Sequence, residues 1–329
     1  MTDESSRLVR LGPGAEFDLI RRFIDQDGPM PEAVRVGPGD DAAVIEGGWV
    51  ISTDMSVEDV HFRRAWLGDQ EIGYRAVTCA LSDLAAMAAS PIGVFVSLAA
   101  GGSEEAEAVH AGCREAASAV GVPILGGDLT RTPGPLVVDV VVLGCTSWPV
   151  LRNGAEPDDE VWVTGQLGAS AAAVAAWSRG DEPPPAAREA FARPVARITE
   201  ACCLVDQEIV DALIDVSDGL AGDAGHLAAA SGVRIVLEAD QIPIAPVALE
   251  VFGPDGALAA ALHGGDDYEL CFVTDPGVVD PDYVKRRFGL EVTRVGRVSE
   301  GEGVWLAQTD GEVTSLPAPG FDHFAQGTQ

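Results

Sequence analysis

Aspartates recur along this chain in one local setting. Asp40 and Asp41 stand in "GPGDDAAV", Asp54 in "STD", Asp83 in "LSDLAAMAA" and Asp128 in "GGD". Asp215 and Asp218 stand in "DVSDGL", and Asp266 and Asp267 in "GGDDYEL". Each motif carries a Gly, Ser or Thr beside an aspartate, and most follow a strand-like run. Small neighbours let a ligand approach the backbone closely. A single Asp-Gly pair reads as a turn. So many together ask for a counter-charge, because clustered carboxylates raise one another's pKa unless a cation sits among them. Oxygen donors suit hard divalent cations, Mg2+ above all, which also recruit substrate phosphates. A bare acidic site would repel a phosphate, so the metal must mediate.

Asp83 is the sharpest case. Residues 76–89, "AVTCALSDLAAMAA", carry one charge. A lone carboxylate on an apolar helix costs several kcal/mol, as an order of magnitude, unless it is paired or metal-bound. Helix capping by Ser82 or Asp83, or a buried Arg partner, would also satisfy it. The EF-hand spacing D-x-[DN]-x-[DN]-G is absent, so calcium sensing is not indicated.

Other chemistries are excluded by missing residues. Lys285, in "YVKRRF", is the one lysine. A Walker A loop needs G-K-[ST], and a protein-kinase strand needs its own lysine, so neither phosphate cradle exists here. No G-x-G-x-x-G dinucleotide fingerprint appears. Cys79, Cys113, Cys145, Cys202, Cys203 and Cys271 form no C-x-x-C pair and no zinc spacing. They read as small buried hydrophobes in a reducing compartment.

The elements that must position these aspartates are legible in outline. The 329 residues suggest two domains, and 47% hydrophobic content gives ample core. Residues 15–25 have helical spacing, and "WVISTD" (49–54) is a strand ending in polar residues. Residues 70–89 and 103–120 read as helices. "PIGVFVSLAA" and the short "VPILGGD" read as strands, and "LVVDVVVLGCTS" (136–147) as a buried one. Pro, Gly and charges cluster in "WPVLRNGAEPDDE" (148–160), which sets the expected boundary between residues 1–148 and 149–329. "VWVTG" (161–165) and an Ala-rich helix (168–178) follow, then a loop at "DEPPP". "ALIDVSD" (212–218) is a strand entering a turn, with a helix beyond it to about residue 230. "VRIVLEAD", "YELCFVTD", "VTRVGRVSE" and "VWLAQTDG" read as strands, and 281–288 as a helix. The class is mixed α/β.

The formal net charge of −31 disfavours nucleic acid and anionic membranes as partners. No apolar run approaches the ~20 residues that span a bilayer. The stretch "MTDESSRLVR" lacks a signal-peptide apolar region, so a cytoplasmic location is expected.

Taken in order, "GDDAAV", "STDMSVEDVHF", "LSDLAAMAASP", "GGDLTR", "IDVSDGL", "GGDDYEL" and "GFDHF" resemble the thiamine-monophosphate kinases. That family lies in the superfamily of aminoimidazole ribonucleotide synthetase. The resemblance spans roughly residues 12–325. It implies the two-domain synthetase-like α/β (α+β) fold. The N-terminal domain would be strand-rich, bind ATP and metal and form a homodimer; the C-terminal domain would be α/β. It implies Mg2+-dependent transfer of the ATP γ-phosphoryl group to thiamine monophosphate, with ATP and several metal ions between the two domains. Asp41, Ser52, Thr53, Asp54, Asp83, Asp128, Asp215 and Asp218 match the metal positions, with Asp54, Asp83 and Asp218 closest to the chemistry. Gly127, Asp128, Arg152 and Ser217 match nucleotide contacts, with Arg131 a further guanidinium candidate. His61, Asp266 and Phe321 match substrate contacts.

Three positions depart from the family pattern. Asp266 stands where Glu is usual, Asp59 where Gly is usual, and Leu129 where Thr is usual. They bear on substrate affinity rather than reaction type. Among superfamily rivals, a selenophosphate synthetase needs a reactive Cys and a Lys near the N-terminus, and a hydrogenase-maturation enzyme a terminal Cys. Neither feature is present. An aminoimidazole ribonucleotide synthetase-like enzyme and a non-catalytic acidic metal-binding protein remain as alternatives.

Overall fold

The computed structural model describes residues 8–26, 28–206, 209–317 and 324. The chain runs α1 (Ala15–Ile24), β1 (Val34–Val36), β2 (Ala43–Ile45), β3 (Trp49–Val57), α2 (Asp69–Ala86), β4 (Ser90–Ala100) and α3 (Ser103–Ala119). Next come β5 (Ile124–Gly126), β6 (Leu129–Arg131), β7 (Val137–Cys145), β8 (Glu160–Thr164), α4 (Ala169–Ser178), α5 (Pro185–Ala192) and α6 (Ile198–Asp206). The last are β9 (Ala212–Val216), α7 (Leu220–Ser231), β10 (Arg234–Glu238), α8 (Pro246–His263), β11 (Glu269–Thr274), α9 (Pro281–Phe288), β12 (Val292–Ser299), β13 (Gly303–Ala307) and β14 (Val313–Ser315).

Two sheets divide the strands. The first has the order β1-β2-β3-β7-β4-β5, with β6 also pairing with β4. The second has the order β14-β13-β10-β12-β8-β11-β9. Most pairs are antiparallel; β4–β5, β4–β6 and β10–β13 are parallel.

The first sheet is largely apolar on both faces, with Ser52 and Asp54 on the inner one and Thr53 and Asp139 on the outer, and among the described residues helices cover only the inner face. Val50, Val94, Val96, Val138, Val140 and Val142 turn inward and are buried, where α2 and α3 pack. Their strand neighbours Ile51, Met55, Phe95, Val141 and Leu143 turn outward by the period-2 alternation. Met55 is 53% exposed and Phe95 38%. The β7 run "VVDVVVLGC" therefore corrects the expectation of a strand buried on both sides.

Helix α2 is the member common to both halves. It packs on α3, β3 and β7 on one side, and on α5, α6 and β9 on the other. One hydrophobic cluster accordingly runs from Val50 and Val140 through Leu81 and Leu84 to Leu213 and Phe272. A second cluster lies wholly in the later sheet, around Ile214, Leu227 and Val295. Glu71 fixes the start of α2 by accepting the Gly68 N–H at 3.0 Å, and Arg188 grips the same carboxylate with two 2.8 Å bonds.

Candidate active site

Three aspartates from separate elements meet at the seam between the sheets. Asp41 lies in the loop before β2, Asp83 near the end of α2 and Asp215 in β9. Each offers a carboxylate oxygen within 4.8 Å of those of the other two. Nearby hydroxyls hold them: Ser52 Oγ donates to Asp83 Oδ2 at 2.6 Å, and Ser82 Oγ donates to Asp215 Oδ2 at 2.6 Å. Arg152 forks onto Asp41, Nη2 to Oδ1 at 2.6 Å and Nε to Oδ2 at 3.1 Å. The Asp41 side chain is 2% exposed, and Asp215 3%.

The electrostatics follow from this crowding. Burial, then Asp215, Asp41 and Asp54, push the Asp83 carboxyl well above its usual range. Burial and Asp41 lift Asp215 to about 7. Burial lifts Asp54 to about 6, partly offset by the Arg75 guanidinium. Two guanidinium groups, Arg152 and Arg75, do not balance so much negative charge. The donors are all oxygen, desolvated and convergent, which fits a hard divalent cation.

The paired aspartates divide their work. Asp40 accepts the Asp41 and Arg152 backbone N–H groups, each at 3.0 Å, and so ties the loop while Asp41 faces the trio. Asp267 accepts the Gly168 N–H at 2.9 and 3.0 Å, at the start of α4, while Asp266 turns to Arg75.

Other candidate residues sit around the trio at different depths. Ser52 touches it directly, and Asp54 joins it electrostatically. Ser217 and Asp218 follow β9, with the Asp218 N–H donating to buried Asp223 at 3.2 Å. The Thr53 side chain is on the opposite, outer face of β3, donating to Asp139 at 3.1 Å. His61 accepts the Val57 N–H on Nδ1 at 3.0 Å, which makes Nε2 its protonated nitrogen. Gly127 and Asp128 occupy the exposed turn between β5 and β6, separated from Asp54 by β7 and β4. There Gly127 has φ 148°, and a Cβ would stand 1.7 Å from Val96 O, so only glycine fits. The turn borders a groove of about 1140 Å³ that Glu107, His110 and Arg114 of α3 also line. Arg131 donates to Gly101 O. Phe321 lies outside the described residues.

A family model for AIR synthase related protein, N-terminal domain, matches residues 39–146, and one for the C-terminal domain matches 156–306. A thiamine-monophosphate kinase of Rhodopirellula baltica (strain DSM 10527 / NCIMB 13988 / SH1) is 34% identical over 309 residues, covering 88% of this chain and 92% of its own. The chain belongs to the thiamine-monophosphate kinase family.

Solved structures of the family superpose on it. The thiamine-monophosphate kinase from Stenotrophomonas maltophilia K279a gives a TM-score of 0.74 at 33% identity, covering 92% of this chain and 98% of its own. AaThiL complexed with AMPPCP and TMP gives 0.78 at 29% identity, covering 94% and 96%. Within the family pattern, the glycine usual at position 59 now has a reason. Asp59 has φ 64°, a left-handed conformation that glycine adopts freely and aspartate tolerates.

Sequence reading missed Arg75, Asp223 and Tyr268. Arg75 falls one residue outside the apolar window 76–89 and shares a helix face with Cys79, Ser82 and Asp83. That shared face was the available signal. Asp223, three residues into α7, is buried and reads from sequence as an ordinary first-turn acid.

Proposed function

We propose that the protein transfers the γ-phosphoryl group of ATP to thiamine monophosphate, giving thiamine diphosphate and ADP, and that it requires Mg2+. The observation that carries this reading is the Asp41–Asp83–Asp215 trio, which draws on both halves of the chain. Family membership supplies the acceptor: AaThiL binds AMPPCP and TMP together.

Asp41, Asp83 and Asp215 would hold Mg2+, with Ser52, Asp54 and Asp218 beside them. The bound cation would neutralise phosphate charge and let two anions approach. The remaining work falls to the chain. An oxygen of the acceptor phosphate attacks the γ-phosphorus, and the bond to the bridging oxygen breaks with its electron pair leaving on ADP. Such transfer depends on positioning and charge stabilisation more than on covalent help. Arg152 is the guanidinium nearest the trio and stabilises the transferring group. Ser217, Gly127 and Asp128 contact the nucleotide, and Thr53 and Asp128 take further cation contacts. His61, Asp266 and Phe321 contact the acceptor.

We also infer a homodimer built on the outer face of the first sheet. That face is largely apolar apart from the Thr53–Asp139 pair, half-exposed and continuous across β3, β7 and β4, as expected of a surface awaiting its own copy. It carries Thr53 and ends near the Asp128 turn, the two places that a single subunit leaves away from the trio. The charge and the lack, among the described residues, of a helix fit to cross a membrane agree with a cytoplasmic enzyme working on small anions.

The test is a product assay. Protein with ATP, Mg2+ and thiamine monophosphate should form thiamine diphosphate and ADP in equal amounts, resolved by chromatography. ADP appearing only with an aminoimidazole precursor would select the superfamily relative. Cation binding without any nucleotide turnover would leave a metal-binding protein.

A further inference from the structure

We propose that Arg75 is the positioning residue for the phosphoryl acceptor, acting through Asp266 and Tyr268. The inference deepens the kinase reading and rests on it. Arg75 is 5% exposed on α2. Its Nη1 donates to Phe191 O at 2.8 Å, and its Nη2 donates to Asp266 Oδ1. The guanidinium lies 4.0 Å from the centroid of the Phe191 ring and 5.5 Å from that of Tyr268. Tyr268 Oη donates to the same Asp266 Oδ1 at 3.1 Å. One carboxylate oxygen thus takes two donors. Oδ2 has none among the described residues, and the side chain stays 32% exposed.

The backbone under this cluster is strained. Asp266 has φ 61° and Tyr268 has φ 51°. Aspartate tolerates this left-handed conformation but a bulky tyrosine does not adopt it freely, so the surroundings must enforce it. Two enforcers are visible. The Asp266 N–H donates to Ser217 O at 2.7 Å, and the Tyr268 N–H to Val216 O at 2.8 Å, which seats the turn on the end of β9. Arg75 clamps it from the other half of the molecule.

The consequence is geometric. Arg75 and Asp83 are two turns apart on one face of α2, about 12 Å along its axis. At one end that face holds the cation-binding trio. At the other it fixes a carboxylate whose outer oxygen is presented for an acceptor. Helix α2 thereby sets the span between the two. A lysine at this position would keep the charge but lose the planar fork and part of the ring stacking.

Calorimetry on the whole protein separates this role from a merely structural one. Thiamine monophosphate and Mg2+–AMPPCP are titrated separately into wild type, Arg75→Lys, Tyr268→Phe and the double variant. Arg75→Lys should weaken thiamine monophosphate binding about tenfold or more while Mg2+–AMPPCP binding is unchanged. Tyr268→Phe should show the same asymmetry more mildly. In its background Arg75→Lys should cost less than in wild type, since both act through Asp266. If Arg75→Lys fails to fold, Tyr268→Phe carries the test alone. Equal weakening of both ligands, or strict additivity, would overturn the proposal. A wild type that binds Mg2+–AMPPCP and ignores thiamine monophosphate would overturn the kinase reading itself.

Discussion

Asp83 shows what a single carboxyl can be asked to do. Burial and three neighbouring acids all oppose its charge, so the chain gains no stability from it without a cation. Asp83→Asn keeps the shape and still offers an oxygen to the Ser52 hydroxyl. The variant should melt at or above the wild-type temperature in EDTA. It should lose the rise that Mg2+ gives the wild type, and turnover should fall roughly 100-fold or more. Paired melts with and without Mg2+ check this; a large drop in EDTA would make Asp83 structural. Its oddness was readable in advance, because one acid stood in an apolar helix. Arg75 offered only its shared helix face with Asp83 as a signal, and nothing pointed to its partners. Its partners Phe191 and Asp266 are 116 and 191 residues away, and no local pattern announces them.

At the scale of elements, α2 and α3 cross with almost no gap. A Cβ on Gly112 would stand 1.8 Å from Gln70 O, and one on Gly73 1.9 Å from Val109 O. Both obstacles are backbone, so nothing flexible can yield. Gly112→Ala should therefore cost about 1–3 kcal/mol or more, read as a lower urea midpoint. Activity should fall with it, since α2 carries Arg75, Ser82 and Asp83; an unchanged midpoint would refute the close crossing. Helices α1 to α3 and strands β3, β4 and β7 were legible from periodicity alone. Helix α8 was not. "GPDG" inside it reads as a turn, and Gly253 indeed leaves helical geometry at φ 71°, yet the helix resumes beyond this kink and runs on to His263. Helices α5 and α6 were missed, although α9, no longer than α5, was read. Strands β1, β2 and β14, at three residues each, fall below what alternation can reveal.

At the scale of the whole molecule, the proposed homodimer makes the outer face of the first sheet the surface to test. Wild-type protein should sediment at twice the 34.1 kDa chain mass. Met55→Asp or Phe95→Asp should place charge in that face, return the 34.1 kDa species and depress turnover. A monomeric wild type at assay concentration would remove the homodimer from the mechanism. The nearly unbroken apolar run of β7 read as a buried strand. It could not tell a face covered by the chain's own helices from one left half-exposed, because both are apolar.

The sharing of α2 between the two sheets also limits how such chains can be recombined. A chimera joined in the 148–160 connection would set one parent's α2 against the other parent's α5, α6 and β9. Viable hybrids should therefore draw those contact surfaces from a single parent, and breeding experiments among relatives should recover crossovers elsewhere.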